Sequence, residues 1–319
     1  MKRIKNIIGM GFLPVMTFLV FFVITRITGN TSFGDLYTWK NIFINTATTV
    51  TMGYVLALNL KSGRMDMSCG ANMIASSIIA VTIALKYGLN GWVLMGLCIL
   101  FCVLFSLITA VVYVKAKMPI IVTTLGMALI YEAVTRIVNG GNGGNVISTS
   151  TYNFWGMAPW AYILMFICIV IYHIITKYTI IGYEAEALAS NQQLAVNLGI
   201  NEKRNVISIF LVSGVLLGVC SAMYAATTVM SAKSDLASVG NVFQNLLPVL
   251  MGFHLAKFGN DSIGILMGAL AVGIIKYGLN IISMGSALNI VLGLFMIAFS
   301  IYTCLDERAQ RKALAEANK

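Results

Sequence analysis

The sequence predicts an all-α integral membrane protein: about ten transmembrane or half-membrane helices, both termini on the cytoplasmic side, and one cytoplasmic segment set between spans. Three observations carry this. Hydrophobic residues make up 59% of the 319 and charged residues 10%, with a mean hydropathy of +0.87. A soluble chain of that composition could not cover its surface with polar groups. Long uncharged runs recur along the whole length. One stretch, Gly182–Ile200, breaks the pattern by interleaving Glu184, Glu186, Asn191, Gln192, Gln193 and Asn197 with Ala185, Ala187, Leu188, Ala195 and Leu198. That alternation favours a short helix at the water interface, and such a helix between spans needs a soluble partner.

Spans able to cross about 30 Å of hydrocarbon are met in order along the chain. They are Asn6–Thr25, Asn41–Leu60, Met67–Leu85, Tyr87–Val114, Met118–Val138, Pro159–Thr176, Asn205–Met230, a short Pro-containing piece at Val242–Phe253, Ser262–Ile275 and Ala287–Leu305. The first begins with Lys2-Arg3-Lys5, lacks a small-x-small cleavage site, and reads as a retained span. With the N-terminus inside, 15 of the 21 basic residues fall inside and six outside (Arg26, Lys40, Lys86, Arg136, Lys233, Lys276). That bias supports the register and places Gly182–Ile200 in the cytoplasm. The whole chain is read as one transmembrane domain, residues 1–319, with 182–200 as a cytoplasmic segment within it.

The net charge of +10 is spread in ones and twos at the ends of apolar runs, which argues for topology and against nucleic acid. The six cysteines sit in apolar segments and read as buried small hydrophobes. Glu132 and Arg136, four apart on the fifth span, share a face and either pair near the outer interface, the reading favoured, or line a polar path. Gln244, Asn245, Pro248 and Gly252 mark the eighth piece as too short to span, the kind of broken helix that lines a cavity. Asn139–Asn153 is an external Gly/Asn-rich loop without a G-x-x-x-x-G-K-[ST] motif. Gly214-x-x-x-Gly218 and Gly264-x-x-x-Gly268 allow close helix packing. KYGLN occurs at Lys86–Asn90 and again at Lys276–Asn280, on the outer side both times.

No catalytic or metal-binding set emerges. His173 stands alone in the sixth span and His254 in a loop, and both read as structural. Asn45, Thr48 and Thr49, with Gln244, Asn245 and Asn289, are candidate groups along a translocation path, though such hydroxyls and amides equally knit helices together. Few carboxylates fall inside spans, which counts against the alternative, a self-contained ion-coupled secondary transporter.

Four patches then resemble the permease subunits of ribose-type importers of the ATP-binding-cassette class. Ser62–Met73 is similar to that family's Gly-x-Asp-Leu-Ser-Val-Gly-Ser patch at Gly63, Asp66, Ser68 and Gly70, with Met67 for Leu and Cys69 for Val. Pro119, Thr124, Leu125, Gly126, Gly140 and Gly141 resemble its Thr-Leu-Gly span and Gly-Gly exit. Gly182, Ala187, Asn191, Ala195, Gly199 and Ile200 match its amphipathic segment, where Ala189-Ser190 replaces the usual Gly-Gly. Gly259–Gly293 follows its closing glycine pattern, while the loop before it is reduced to Gly252–Gly259.

The resemblance implies a permease, not an enzyme, in the cell membrane, carrying a small polar solute, with a sugar as the first expectation. ATP and Mg would be bound by separate cytoplasmic cassette subunits, so this chain would carry no cofactor. Gly182, Glu186, Ala187, Asn191, Ala195 and Gly199 would form the coupling contact, and Asp66, Ser68 and Gly70 a cytoplasmic motif patch. An extracytoplasmic binding protein would deliver the solute, and a second permease copy or paralogue would complete a path at the dimer axis.

Overall fold

The computed structural model describes residues 2–29 and 33–317, with side chains except at 2–8, 286, 306–307 and 309–317. Lys319, and the side chains of Lys2, Arg3, Lys5, Arg311 and Lys312, which enter the basic-residue count, lie outside the described residues. The helices are α1 (Lys2–Ile27), α2 (Leu36–Lys61), α3 (Cys69–Tyr87), α4 (Gly91–Ala116), α5 (Ile120–Ile137), α6 (Ser150–Asn153), α7 (Trp160–Tyr178), α8 (Ile180–Ser190), α9 (Gln192–Asn197), α10 (Glu202–Thr227), α11 (Val239–Leu255), α12 (Asp261–Ile281) and α13 (Leu288–Ala317). Nine of them are long and apolar enough to cross a membrane, among the described residues. With 17 residues, α11 is the short piece that the sequence anticipates; it runs unbroken through Pro248 instead of breaking there.

Two glycine seams draw helices together. A Cβ at Gly218 would strike the Ile99 backbone and one at Gly214 would come within 3.0 Å of Val103 Cα, so the first small-residue pair sits flat on α4. A Cβ at Gly264 would strike the Gly252 carbonyl, and one at Gly252 the Ile265 backbone, so the second seam joins α12 to α11. In lipid, where apolar contact alone does not favour association, such backbone approach gains dispersion contacts that larger residues would block.

α2 and α3 are the most enclosed spans among the described residues, 72% of each apolar window being buried, and α2 lies among α7, α10, α11 and α12. α4, α7 and α13 bury 28%, 28% and 11% and face outward. Phe166, Ile290 and Leu294 are among the large apolar side chains exposed on these outer helices. Cys304 is exposed on α13, which corrects the expectation that all six cysteines are buried; the other five are. The Gly/Asn loop is partly structured, with Gly144 pairing with Met230 and α6 coming after it.

Candidate functional site

The predicted amphipathic helix is two helices, and local chemistry divides it. Thr179 accepts from the Gly182 amide at 3.4 Å to start α8. At Gly182 a Cβ would run into the Ile175 carbonyl, so this glycine permits the tight reversal from α7. Asn191 leaves helical geometry and its side chain accepts from the Leu194 amide at 3.0 Å, capping α9. Gly199, at φ +94°, ends α9 while the Ile200 amide reaches the Ala195 carbonyl at 3.1 Å, a glycine-dependent helix stop. The Asn…Gly-Ile pattern is therefore a pair of capping signals.

Ala185, Leu188 and Ala195 turn inward and are buried. Glu186, Asn191 and Gly199 are exposed and Ala187 is half-buried. Ala195 thus supports the segment from beneath and does not present itself at the surface, because the inner face of α9 needs an apolar contact. The outer face carries Tyr183, Leu194 and Leu198 at 60%, 56% and 76% exposure. Beneath, a Cβ added at Gly63 would lie 3.4 Å from Ala189 Cα, and the Asn205 side-chain amide donates to the Ile181 carbonyl at 3.1 Å. Buried Arg64 reaches Asn205 and Glu202 at 3.4 and 3.5 Å. The segment is tied by polar contacts to the start of α10, which Arg64 in turn links to the α2–α3 turn.

Asp66, Ser68 and Gly70 do not form a surface patch. Asp66 and Ser68 are 3% and 1% exposed. The turn dips into the bundle, where the Met67 amide donates to Thr124 Oγ1 at 3.2 Å and the Asn72 side-chain amide to the Cys102 carbonyl, also at 3.2 Å. Cys102 lies 14 residues from the Ala116 end of α4, about 21 Å along the axis. At the start of α3, the Asp66 carboxylate accepts from the Ser68 amide and hydroxyl at 2.8 and 2.7 Å and from the Cys69 thiol at 3.1 Å.

Gly70 is a packing residue against the Ser238 carbonyl, so α11 also begins inside the bundle, beside α3. The Glu132 carboxylate caps that start, accepting from the Leu236 and Ser238 amides at 2.9 and 2.7 Å. This corrects the expected Glu132–Arg136 pair: Glu132 is 2% exposed and turned into the protein, whereas Arg136 is exposed. Two helices thus start in the interior, each with a carboxylate at its positive end.

Beside them lies a polar cavity of about 220 Å³, lined among others by Asn45, Thr48 and Thr49 of α2, Tyr224 of α10, Asn241, Gln244 and Asn245 of α11, and Lys276 of α12. The structure so brings together five of the six candidate path residues. Asn289 lies outside this cavity, in the adjoining groove with Gly240 and Gly293, where it accepts from Gln244 at 2.6 Å. Lys276, expected in an outer loop, is instead inside α12, donating to Thr49 Oγ1 at 3.1 Å. The signal is present in the sequence: Tyr277-Gly-Leu-Asn-Ile-Ile continues the apolar run past the lysine.

At the α8–α9 end, Lys61 pairs with Asp261, and Tyr172 donates to the same carboxylate at 3.2 Å. His173 is not alone: its Nδ1 meets Ser262 Oγ at 3.0 Å, and Tyr54 donates to the Ser262 carbonyl at 2.8 Å. His254 lies in the last turn of α11, not in a loop, edge-on to Phe299 and Tyr302.

A family model described as branched-chain amino acid transport system / permease component matches residues 38–300. The D-allose transport system permease protein AlsC of Escherichia coli (strain K12) is 25% identical over 301 residues, 89% of this chain and 90% of its own. The L-arabinose transport system permease protein AraH of the same organism is 22% identical over 259 residues, 79% of this chain and 78% of its own. Its ribose import permease protein RbsC is 22% identical over 270 residues, 82% and 83%. A polytopic helical fold, a polar cavity within it and a model match over most of the length agree: this chain is a multi-pass membrane protein of the branched-chain amino acid transport system / permease component family.

Proposed function

We propose that the chain is the translocating subunit of an ATP-binding-cassette importer for a small sugar or sugar-like solute, working in the cytoplasmic membrane. The observation that supports the coupling is the α8–α9 segment, which stands outside the membrane helices and exposes Tyr183, Leu194 and Leu198 beside Glu186, Asn191 and Gly199. An exposed apolar cluster with a polar rim suits a protein partner, here a cytoplasmic cassette subunit that binds ATP and Mg. The named solutes of the three relatives, allose, arabinose and ribose, support the sugar class. An extracytoplasmic binding protein would deliver solute to the end opposite α8–α9, and a second permease copy or paralogue would complete the assembly. Both termini then lie on the cytoplasmic side.

The transport step follows from the contacts. Cassette closure on ATP displaces α8–α9, and the displacement passes through Gly63, Arg64 and Asn205 to α2 and α10. Both helices line the polar cavity, so their movement changes which side reaches Asn45, Thr48 and Thr49. The solute's hydroxyls exchange water for these side-chain amides and hydroxyls during passage.

Purification from the native membrane in mild detergent, with mass spectrometry and an ATPase assay, tests this reading. A nucleotide-binding cassette is expected to copurify, and Leu194→Asp with Leu198→Asp is expected to abolish solute-stimulated hydrolysis while the chain stays folded. A chain that purifies alone, without ATPase, and takes up solute in liposomes on an ion gradient would replace this reading with a secondary transporter.

A further inference from the structure

Lys276 is the feature the transport reading does not use. It enters the polar cavity from α12, and its ammonium has one hydrogen-bond partner among the described residues, Thr49 Oγ1 at 3.1 Å. An ammonium has three N–H donors, so two remain for a ligand or water. Among the described residues, no aspartate or glutamate lines the cavity. The buried carboxylates of Glu132 and Asp66 are engaged elsewhere, Glu132 with the Leu236 and Ser238 amides and Asp66 with Ser68 and Cys69.

Snorkelling does not account for the side chain. Helical side chains lean toward the N-terminus of their helix, which for α12 means away from the near end at Ile281. Its partner Thr49 sits at the midpoint of α2 (Leu36–Lys61). The lysine therefore points into the bundle, where a charge without a counter-ion is costly and marks a functional position by default.

Resting on the transport reading, we propose that Lys276 binds an anionic group on the solute and that the cargo is a small polyhydroxylated carboxylate, a sugar acid. The single cation matches one carboxylate, whereas a doubly charged phosphate ester would leave surplus charge in the cavity. Around it, Asn45, Thr48, Asn241 and Tyr224 offer donors and acceptors for hydroxyls. The volume of about 220 Å³ equals roughly seven waters at about 30 Å³ each, the scale of a single small polyol.

The test is ligand binding to the purified full chain in nanodiscs, without any cassette, using D-ribonate, D-ribose and D-ribose 5-phosphate as probes. Wild type is expected to bind ribonate on the order of tenfold or more tighter than ribose, as one charge-assisted hydrogen bond allows, and tighter than the phosphate ester. Lys276→Met is expected to lose that preference with its melting temperature unchanged or raised, and Lys276→Arg to keep it. Equal binding of ribonate and ribose, no saturable ribonate binding, or a preference that survives Lys276→Met would each overturn the proposal. So would preference for the phosphate ester. A melting temperature that falls in Lys276→Met with the preference intact would make the lysine structural. Because no ATPase is present, these outcomes are independent of the copurification result: coupling can hold while the cargo is neutral, and the reverse.

Discussion

Glu132 shows how much a single buried carboxylate decides. It accepts two backbone amides from the segment leading into α11, and charge-assisted bonds of this kind are each worth about 1.5–3 kcal/mol. Glu132→Gln is expected to destabilise the protein by about 2 kcal/mol, read from denaturant unfolding in detergent. Arg136→Gln is expected to change little, and the double variant to be additive, since Glu132 is buried against the Leu236 and Ser238 amides and Arg136 is exposed. A coupling energy above about 0.5 kcal/mol would restore the pair. Asn191 gives a second test at this scale. Asn191→Ala removes the α9 cap and is expected to cost about 1 kcal/mol, whereas Asn191→Asp keeps an acceptor for the Leu194 amide and is expected to be near neutral, as circular dichroism melts would show.

Between elements, the seams are set by glycine because backbone meets backbone. Gly218→Val would force α10 off Ile99 of α4, and the overpacking is expected to cost about 1–3 kcal/mol, measurable as a lowered melting temperature. Gly11→Ala, where nothing among the described residues lies within 4 Å, is the control and is expected to leave the melting temperature unchanged or raised, since Ala favours a helix interior over Gly. The two copies of KYGLN show the same dependence on neighbouring elements. At Lys86–Asn90, Gly88 ends α3 in a left-handed turn and Asn90 caps α4; at Lys276–Asn280 the same five residues stay inside α12. The surroundings make the difference. Gly91 opens a new helix packed on the Thr151 carbonyl, whereas α12 runs on to Ile281, with Gly278 closed over by Phe21.

Across the whole molecule, the α8–α9 segment and the cavity are joined by two helices, α2 and α10, and by a buried polar set beneath the segment. Arg64 is 5% exposed and bridges the α2–α3 turn to Asn205 and Glu202. Arg64→Met is expected to leave insertion intact but reduce solute-stimulated ATP hydrolysis by on the order of tenfold in the assembled importer, the loss of one buried charged contact. Unchanged stimulation would place the coupling elsewhere. Lys61 and Asp261 anchor α2 to α12 at the same end, so Lys61→Met, which strands a buried carboxylate, is expected to cost about 3 kcal/mol in denaturant unfolding.

The all-α membrane class, the order of the spans, the short eighth helix and the isolation of Gly182–Ile200 are legible along the chain, because hydropathy over about 20 residues and helix-capping residues act locally. So are Asn45, Thr48, Thr49, Gln244 and Asn245, polar residues whose presence inside apolar runs is itself the signal. The packing of helix on helix is what sets Asp66 and Glu132 as caps on helices starting inside the bundle, turns Ala195 inward and brings Lys276 into the cavity. Each of these depends on which helix lies opposite, and a side chain's partner across a bundle leaves no trace in its own neighbours along the chain.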